Sequence, residues 1–175
     1  MNAFSKMVSV ILAILVLFVA PIIYYTQQQD KIVANFVDAQ TAKFVSTVRN
    51  TGVITADQYD NFIQTLDTTN NVYDIEITHS SLVVNPEYTT STVDDPTTSL
   101  TSEYYVNTYE DTIMKALYET SEAEYVMAKG DYVTVQVTVK NKTVATRMQE
   151  LVFGRGLQSH QIVAIYGGVI KDEGI

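Results

Sequence analysis

The sequence contains no cysteine. That excludes disulfides, zinc–thiolate centres and thiol nucleophiles together. It suits an exported protein from a cell that does not rely on disulfides. Tryptophan is absent too, and twelve tyrosines supply most of the aromatic surface. Their hydroxyls need hydrogen-bond partners wherever they are buried. Positive charge is scarce: 11 Lys and Arg stand against 20 Asp and Glu, a net charge of −9. An acidic chain is poorly suited to binding a phosphate backbone, which requires Lys and Arg to displace counterions. No nucleic-acid partner is expected. Histidine is limited to His79 and His160, with no metal-ligand spacing around either. Each reads more readily as a structural residue than as a ligand.

Catalytic motifs are missing as well. No G-x-S-x-G elbow or S-x-x-K pair accompanies the serines. Asp94-Asp95 lacks the remaining oxygen ligands of a calcium loop. Gly154-Arg155-Gly156 lacks the further glycines and the following helix of a phosphate loop. Asn141-Lys142-Thr143 is a glycosylation sequon, meaningful only in a cell that modifies such sites. The expectation is a non-enzymatic protein with no catalytic, cofactor-binding or metal residues and no cofactor.

One more absence points to what is present. No charged residue falls between Lys6 and Asp30. Residues 7–25 read MVSVILAILVLFVAPIIYY. A helix of about 20 apolar residues crosses the hydrocarbon core of a bilayer with every backbone group paired internally. A secretory signal peptide is the rival reading. The apolar run exceeds a usual signal core of about 7–15 residues, and no A-x-A cleavage site follows. Tyr24-Tyr25-Thr26-Gln27 resembles an interfacial aromatic belt. A retained single-pass anchor is expected, with membrane lipid as a partner. Lys6 and the amino group before the span place the N-terminus in the cytoplasm and the remainder outside. Pro21, inside the run, removes a helix hydrogen bond; it is either a tolerated membrane kink or a flexible point for repacking.

Residues 26–50 carry no helix breaker. Ile32, Val33, Phe36, Val37, Phe44, Val45 and Val48 lie near helical spacing. The reading is one long helix, about 70 Å over residues 4–49, apolar first and amphipathic afterwards. Val8, Ile11, Leu12, Leu15, Val19 and Pro21 are expected on the membrane and assembly half. Phe36, Val37, Phe44 and Val48 are expected to pack the head onto the helix.

The segment 51–175 reads as an α+β head. Gly52 caps the long helix. Thr55-Ala56-Asp57-Gln58 opens a second helix with a capping box, and Tyr59, Phe62, Ile63 and Leu66 form its apolar face. After a turn at 68–71, residues 72–78 alternate as a half-buried strand. Residues 79–107, rich in Thr and Ser with Asn85-Pro86 and Asp94-Asp95-Pro96, read as a long exposed loop. A helix opens near Thr108 with Tyr109, Ile113, Ala116 and Leu117 on its apolar face. Residues 125–129 are expected to form a hairpin with the alternating strand of Val133, Val135, Val137 and Val139. A further helix, 143–153, should turn Val144, Met148, Leu151 and Val152 inward. A last strand, 161–166, should bend at Gly167-Gly168 and resume at Val169-Ile170. The fold class is therefore α+β: a small, mainly antiparallel sheet packed on helices and carried by a long N-terminal helix.

This layout resembles type IV pilin-like proteins, and more narrowly the TadE-like and Flp-pilus-associated membrane proteins of Gram-positive bacteria. The residues that carry the resemblance are the short leader 1–6, the span 7–25 and its exit Thr26-Gln27-Gln28-Gln29. Val48-Arg49-Asn50-Thr51-Gly52, Asn141-Lys142-Thr143, Phe153-Gly154 and Tyr166-Gly167-Gly168 add to it. The resemblance implies a pilin-like fold and no enzymatic activity. It implies pilin-like or secretion-system partners, self-association, and a place in a surface pilus or secretion apparatus. Pilins usually carry a glutamate at the fifth mature position. With a leader junction at Ala3-Phe4, Val8 stands there, which implies an accessory rather than a major subunit. The alternative is a membrane-tethered binding module that uses residues 82–107, with Tyr88, Tyr104 and Tyr105 as contact aromatics.

Overall fold

The computed structural model describes residues 3–88, 99–154 and 163–171. The chain is α+β. Helix α1, Ala3–Thr51, runs unbroken through Pro21. Gly52 ends it in the left-handed region (φ 71°), and its N–H returns to the Val48 carbonyl at 2.8 Å. A residue with a Cβ is disfavoured at that φ.

Helix α2, Ala56–Asp67, starts on the expected capping box. The Gln58 N–H donates to Thr55 Oγ1 (3.2 Å), and the Thr55 N–H donates to Gln58 Oε1 (3.4 Å). Two orphan donors are thereby satisfied reciprocally. The α2 face of Tyr59, Phe62 and Leu66 is buried against α1. Phe44 stacks on Phe62 with ring centroids 4.5 Å apart and planes 8° from parallel.

Two antiparallel sheets complete the head. The larger has strand order β3-β2-β5-β6, from β2 Tyr73–Tyr88, β3 Ser99–Tyr109, β5 Tyr132–Val139 and β6 Val163–Val169. The smaller pairs β1 Val53–Thr55 with β4 Glu124–Val126. Alternation along β5 is as expected: Val133, Val135, Val137 and Val139 are buried, and the residues between them are not. Ile75 and Ile77 of β2 join Val133, Val135 and Val137 in the core cluster, and α1 packs against β5 and β6.

Five expectations are corrected. Within the expected 79–107 loop, residues 79–88 and 99–107 are strand: β2 continues to Tyr88, and β3 pairs with it from Thr78↔Tyr109 to Tyr88↔Ser99. Thr- and Ser-rich sequence reads as turn chemistry, but the cross-strand partners Leu82↔Tyr105 and Val83↔Tyr104 make it a ribbon. Pro86 is tolerated because β5 pairs with β2 only as far as Ser80. Asp94-Asp95-Pro96 lies outside the described residues.

The expected 125–129 hairpin with β5 does not form. Gly130 (φ 97°) does make a turn, closed by the Asp131 N–H to the Ala128 carbonyl at 3.1 Å. The strand before that turn pairs with β1 instead, in the register Val53↔Val126. Helix α3, Glu110–Glu119, buries Ile113 and Leu117. Tyr109 is its N-cap and is exposed, not part of the apolar face.

Helix α4, Val144–Phe153, buries Ala145 and Thr146 and leaves Val144, Met148, Leu151 and Val152 exposed, the reverse of the expected orientation. Gly154 caps it at φ 66°; Arg155, Gly156 and His160 lie outside the described residues. Finally, β6 passes through Gly167-Gly168 without a break. A Cβ at Gly167 would meet the Val133 carbonyl oxygen at 2.9 Å, so close strand packing, not a bend, requires the glycine.

The head rides on the second half of α1. Tyr166 donates to Asp38 Oδ2 (2.8 Å), Arg49 Nε donates to the Val169 carbonyl (3.1 Å), and the Lys171 N–H donates to the Arg49 carbonyl (2.8 Å). β6 therefore ascends α1 from the Asp38 level toward Arg49. β2 lies antiparallel to β5 and β5 antiparallel to β6. The β2–β3 ribbon beyond Ser80 thus leaves the end of the head farther from the apolar half of α1.

Candidate membrane helix and buried histidine cluster

Among the described residues one helix, α1, is long and apolar enough to cross a membrane. Residues 3–18 are exposed throughout. Val8, Ile11, Leu12 and Leu15 are exposed, Val19 is half-buried and Pro21 is exposed. Pro21 has no N–H to give the Leu17 carbonyl four residues earlier. A turn further on, the Thr26 hydroxyl bonds the Ile22 and Ile23 carbonyls at 3.1 and 2.9 Å. In water so much exposed apolar surface would be unfavourable at about 25 cal/mol per Å². A bilayer removes that penalty, so a membrane anchor is compatible with the helix. A signal sequence of the same length and composition would satisfy this test too.

Of the residues expected to hold the head, Val37, Phe44 and Val48 are buried in the main core cluster with Val45. Phe36 is half-buried and outside that cluster, and Ile32 is exposed. Thr41, on the same buried stripe, returns its hydroxyl to the Val37 carbonyl at 2.8 Å. Helix α1 thus changes environment along its length: bare apolar surface first, then a stripe that is part of the head's own core.

The polar cluster at the top of the head escapes a reading of the sequence. His79 is 4% exposed. Its Nδ1 meets Tyr125 Oη at 2.7 Å and its Nε2 meets Asp131 Oδ2 at 2.9 Å. The Nε2–H tautomer satisfies both contacts: it donates to Asp131, and Nδ1 accepts from Tyr125. Asp131 also accepts from the Leu82 N–H (3.0 Å, Oδ1) and the Ala128 N–H (2.8 Å, Oδ2). One carboxylate therefore ties β2, the turn after β4, and the start of β5 together.

Ser81 Oγ lies 3.4 Å from His79 Nε2. Serine, histidine and aspartate are thus adjacent, but both oxygens crowd the same ring nitrogen. A nucleophilic relay needs the serine on one nitrogen and the carboxylate on the other. Here Tyr125 holds the opposite nitrogen, and the arrangement is a structural clasp. Among the described residues no group of three or more His, Asp or Glu could hold a metal ion. The Asn141 side chain of the sequon is also engaged, accepting from the Val72 N–H at 2.9 Å and donating to Asn71 Oδ1 at 3.1 Å.

Burial would push the Asp131 carboxyl up. The Leu82 N–H, His79 and the Ala128 N–H outweigh it and hold the group below the ordinary carboxylate value. A depressed folded pKa contributes stability that is present above the unfolded value of about 3.9. It is lost as pH falls from that value through the folded pKa. Asp131→Asn should cost about 1–3 kcal/mol at neutral pH, because a donor replaces one acceptor oxygen. It should also flatten the loss of stability below about pH 4. Urea melts of both proteins between neutral and acidic pH test this; an unchanged acid limb would rule out the clasp as its source.

No family model, curated protein or solved structure matches this chain.

Proposed function

We propose that this chain is a membrane-anchored, non-enzymatic structural or accessory subunit of a cell-surface pilus or pilus-like secretion apparatus, assembled through the apolar half of α1. The observation that carries the reading is the division of α1. Its second half is built into the head, while residues 3–18 project with no cover from the head. A tether needs only a span. A span continuous with a rigid, clamped head transmits the position of one subunit to the next. Ser5, Ser9 and Ala13 recur every four residues on this half, and the Ser9 hydroxyl is already satisfied by the Ser5 carbonyl at 2.9 Å. Small side chains at that spacing let membrane helices approach closely. The N-terminus is cytoplasmic and the head extracellular in this reading.

In lipid there is no hydrophobic force between helices, and association rests on close packing. Ala13→Trp keeps the span apolar and fills that contact. It should insert normally yet fail to be recovered in cross-linked membrane complexes. If Ala13→Trp assembles as well as wild type, α1 is only a tether. The binding-module reading would then replace this one, with exposed Tyr104 and Tyr105 on the distal ribbon as its contact surface.

A further inference from the structure

Helix α4 exposes four large apolar side chains: Val144 (61%), Met148 (37%), Leu151 (82%) and Val152 (43%). At i, i+4, i+7 and i+8 they form one face. A different side of the same helix buries Ala145 and Thr146, and α4 packs on α1. Its height on α1 is fixed by Thr143, the N-cap residue, whose hydroxyl donates to Asp30 Oδ2 at 2.6 Å. Asp30 lies five residues past Tyr25, about 8 Å along the axis. The head reaches down α1 in this region, for Thr26 is buried.

A bilayer's polar layer extends roughly 5–8 Å beyond the hydrocarbon on each side. If the tyrosine pair marks the edge of the hydrocarbon, the start of α4 stands at the level of the headgroups. We infer that α4 is an interfacial helix, with its exposed apolar face set into the surface of the bilayer that α1 crosses. This inference rests on the anchor reading of α1. The occupant is lipid because the face belongs to a helix that packs on α1 and is pinned at Asp30, just beyond the apolar run. Arg147 is exposed on the flank of the stripe, where it can meet anionic headgroups, and Glu150 is neutralised by Lys142 at 2.6 Å. A helix of ten residues would bind a membrane poorly alone. Here the span already holds it at the surface, so the second contact is intramolecular and needs little affinity of its own. Two contacts fix what one span cannot, the tilt and rotation of α1 relative to the membrane.

The absence of native cysteine allows single-site labelling. Full-length Leu151→Cys, Val16→Cys and Tyr104→Cys, each carrying an environment-sensitive fluorophore, would be reconstituted in phosphatidylcholine vesicles with and without phosphatidylglycerol. Nitroxide lipids would quench from a shallow or a deep position. The label at 151 should emit blue-shifted from that at 104 and be quenched more by shallow than by deep nitroxide, whereas 16 should favour deep. If 16 is quenched and 151 behaves like 104, the inference is overturned and the anchor stands. A blue-shifted 151 that no lipid quencher reaches means another protein chain covers α4, and also overturns it. If 16 is not quenched, the anchor reading fails and this inference fails with it.

Discussion

Phe44→Ala should lower the stability of the head by about 3–5 kcal/mol, the range for removing a buried phenylalanine. Phe44 belongs to α1 but functions as a core residue of the head. It is nearly buried, stacks on Phe62, and lies against Tyr59 at 6.5 Å with planes tilted by 57°. Removing the ring takes away apolar burial and both aromatic contacts. It leaves a gap between α1 and α2 that two rigid helices cannot close. In a chain of this size the cost corresponds to roughly 10–15 °C in melting temperature. Near-UV circular dichroism of the tyrosines in detergent-solubilised full-length protein would follow it. Phe36→Ala is the internal comparison: Phe36 is half-buried and outside the core cluster, so its loss should be clearly smaller. If Phe44→Ala melts like wild type, α1 does not template the head.

Leu15→Lys should act at the other end of the helix. Residue 15 is close to the middle of the apolar segment and exposed. A lysine at the centre of a span costs about 2.5–3.5 kcal/mol on insertion scales, and loss of the leucine adds a few tenths. The ratio of inserted to non-inserted protein should fall by roughly two orders of magnitude. The head should melt unchanged, because it does not cover residue 15. Alkaline extraction of membranes measures the first effect and the near-UV melt the second. Normal retention of Leu15→Lys would mean that 7–25 does not reside in the bilayer. A shifted melt would mean that the head and the apolar half touch.

The two variants separate what the two halves of α1 do, and only one of those halves was fully readable in advance. A charge-free run is apolar on every face of the helix, so the apolar segment needs no partner to be recognised. The alternating valines of β5 are similar. Period two on one face dictates a half-buried strand whichever neighbours it finds. The capping box at Thr55 and the left-handed stop at Gly52 are likewise local, set by backbone groups within a few residues. These features determined the α+β class, the long apolar N-terminal helix and where the head begins.

Tertiary structure decided the rest, because the deciding partners are distant in sequence. His79 meets Tyr125 and Asp131 46 and 52 positions away, and nothing in the neighbourhood of His79 signals either. A turn between residue 129 and the valine strand was legible, but not that the Asp131 carboxylate there accepts from the Leu82 N–H. A strand of three residues such as β1 carries too little periodicity to announce itself; it exists because it pairs with β4, the strand expected to pair with β5. Residues 79–88 and 99–107 were misread for a related reason: Thr, Ser and Asn favour turns only when no cross-strand partner competes. For α4 the sequence specified an amphipathic helix and left its environment open. Periodicity states that one face is apolar; it cannot state whether protein or membrane lies opposite. The structure decides only that this face is not covered by the head: the hydrogen bond from Thr143 to Asp30 and the buried pair Ala145 and Thr146 leave Val144, Met148, Leu151 and Val152 exposed.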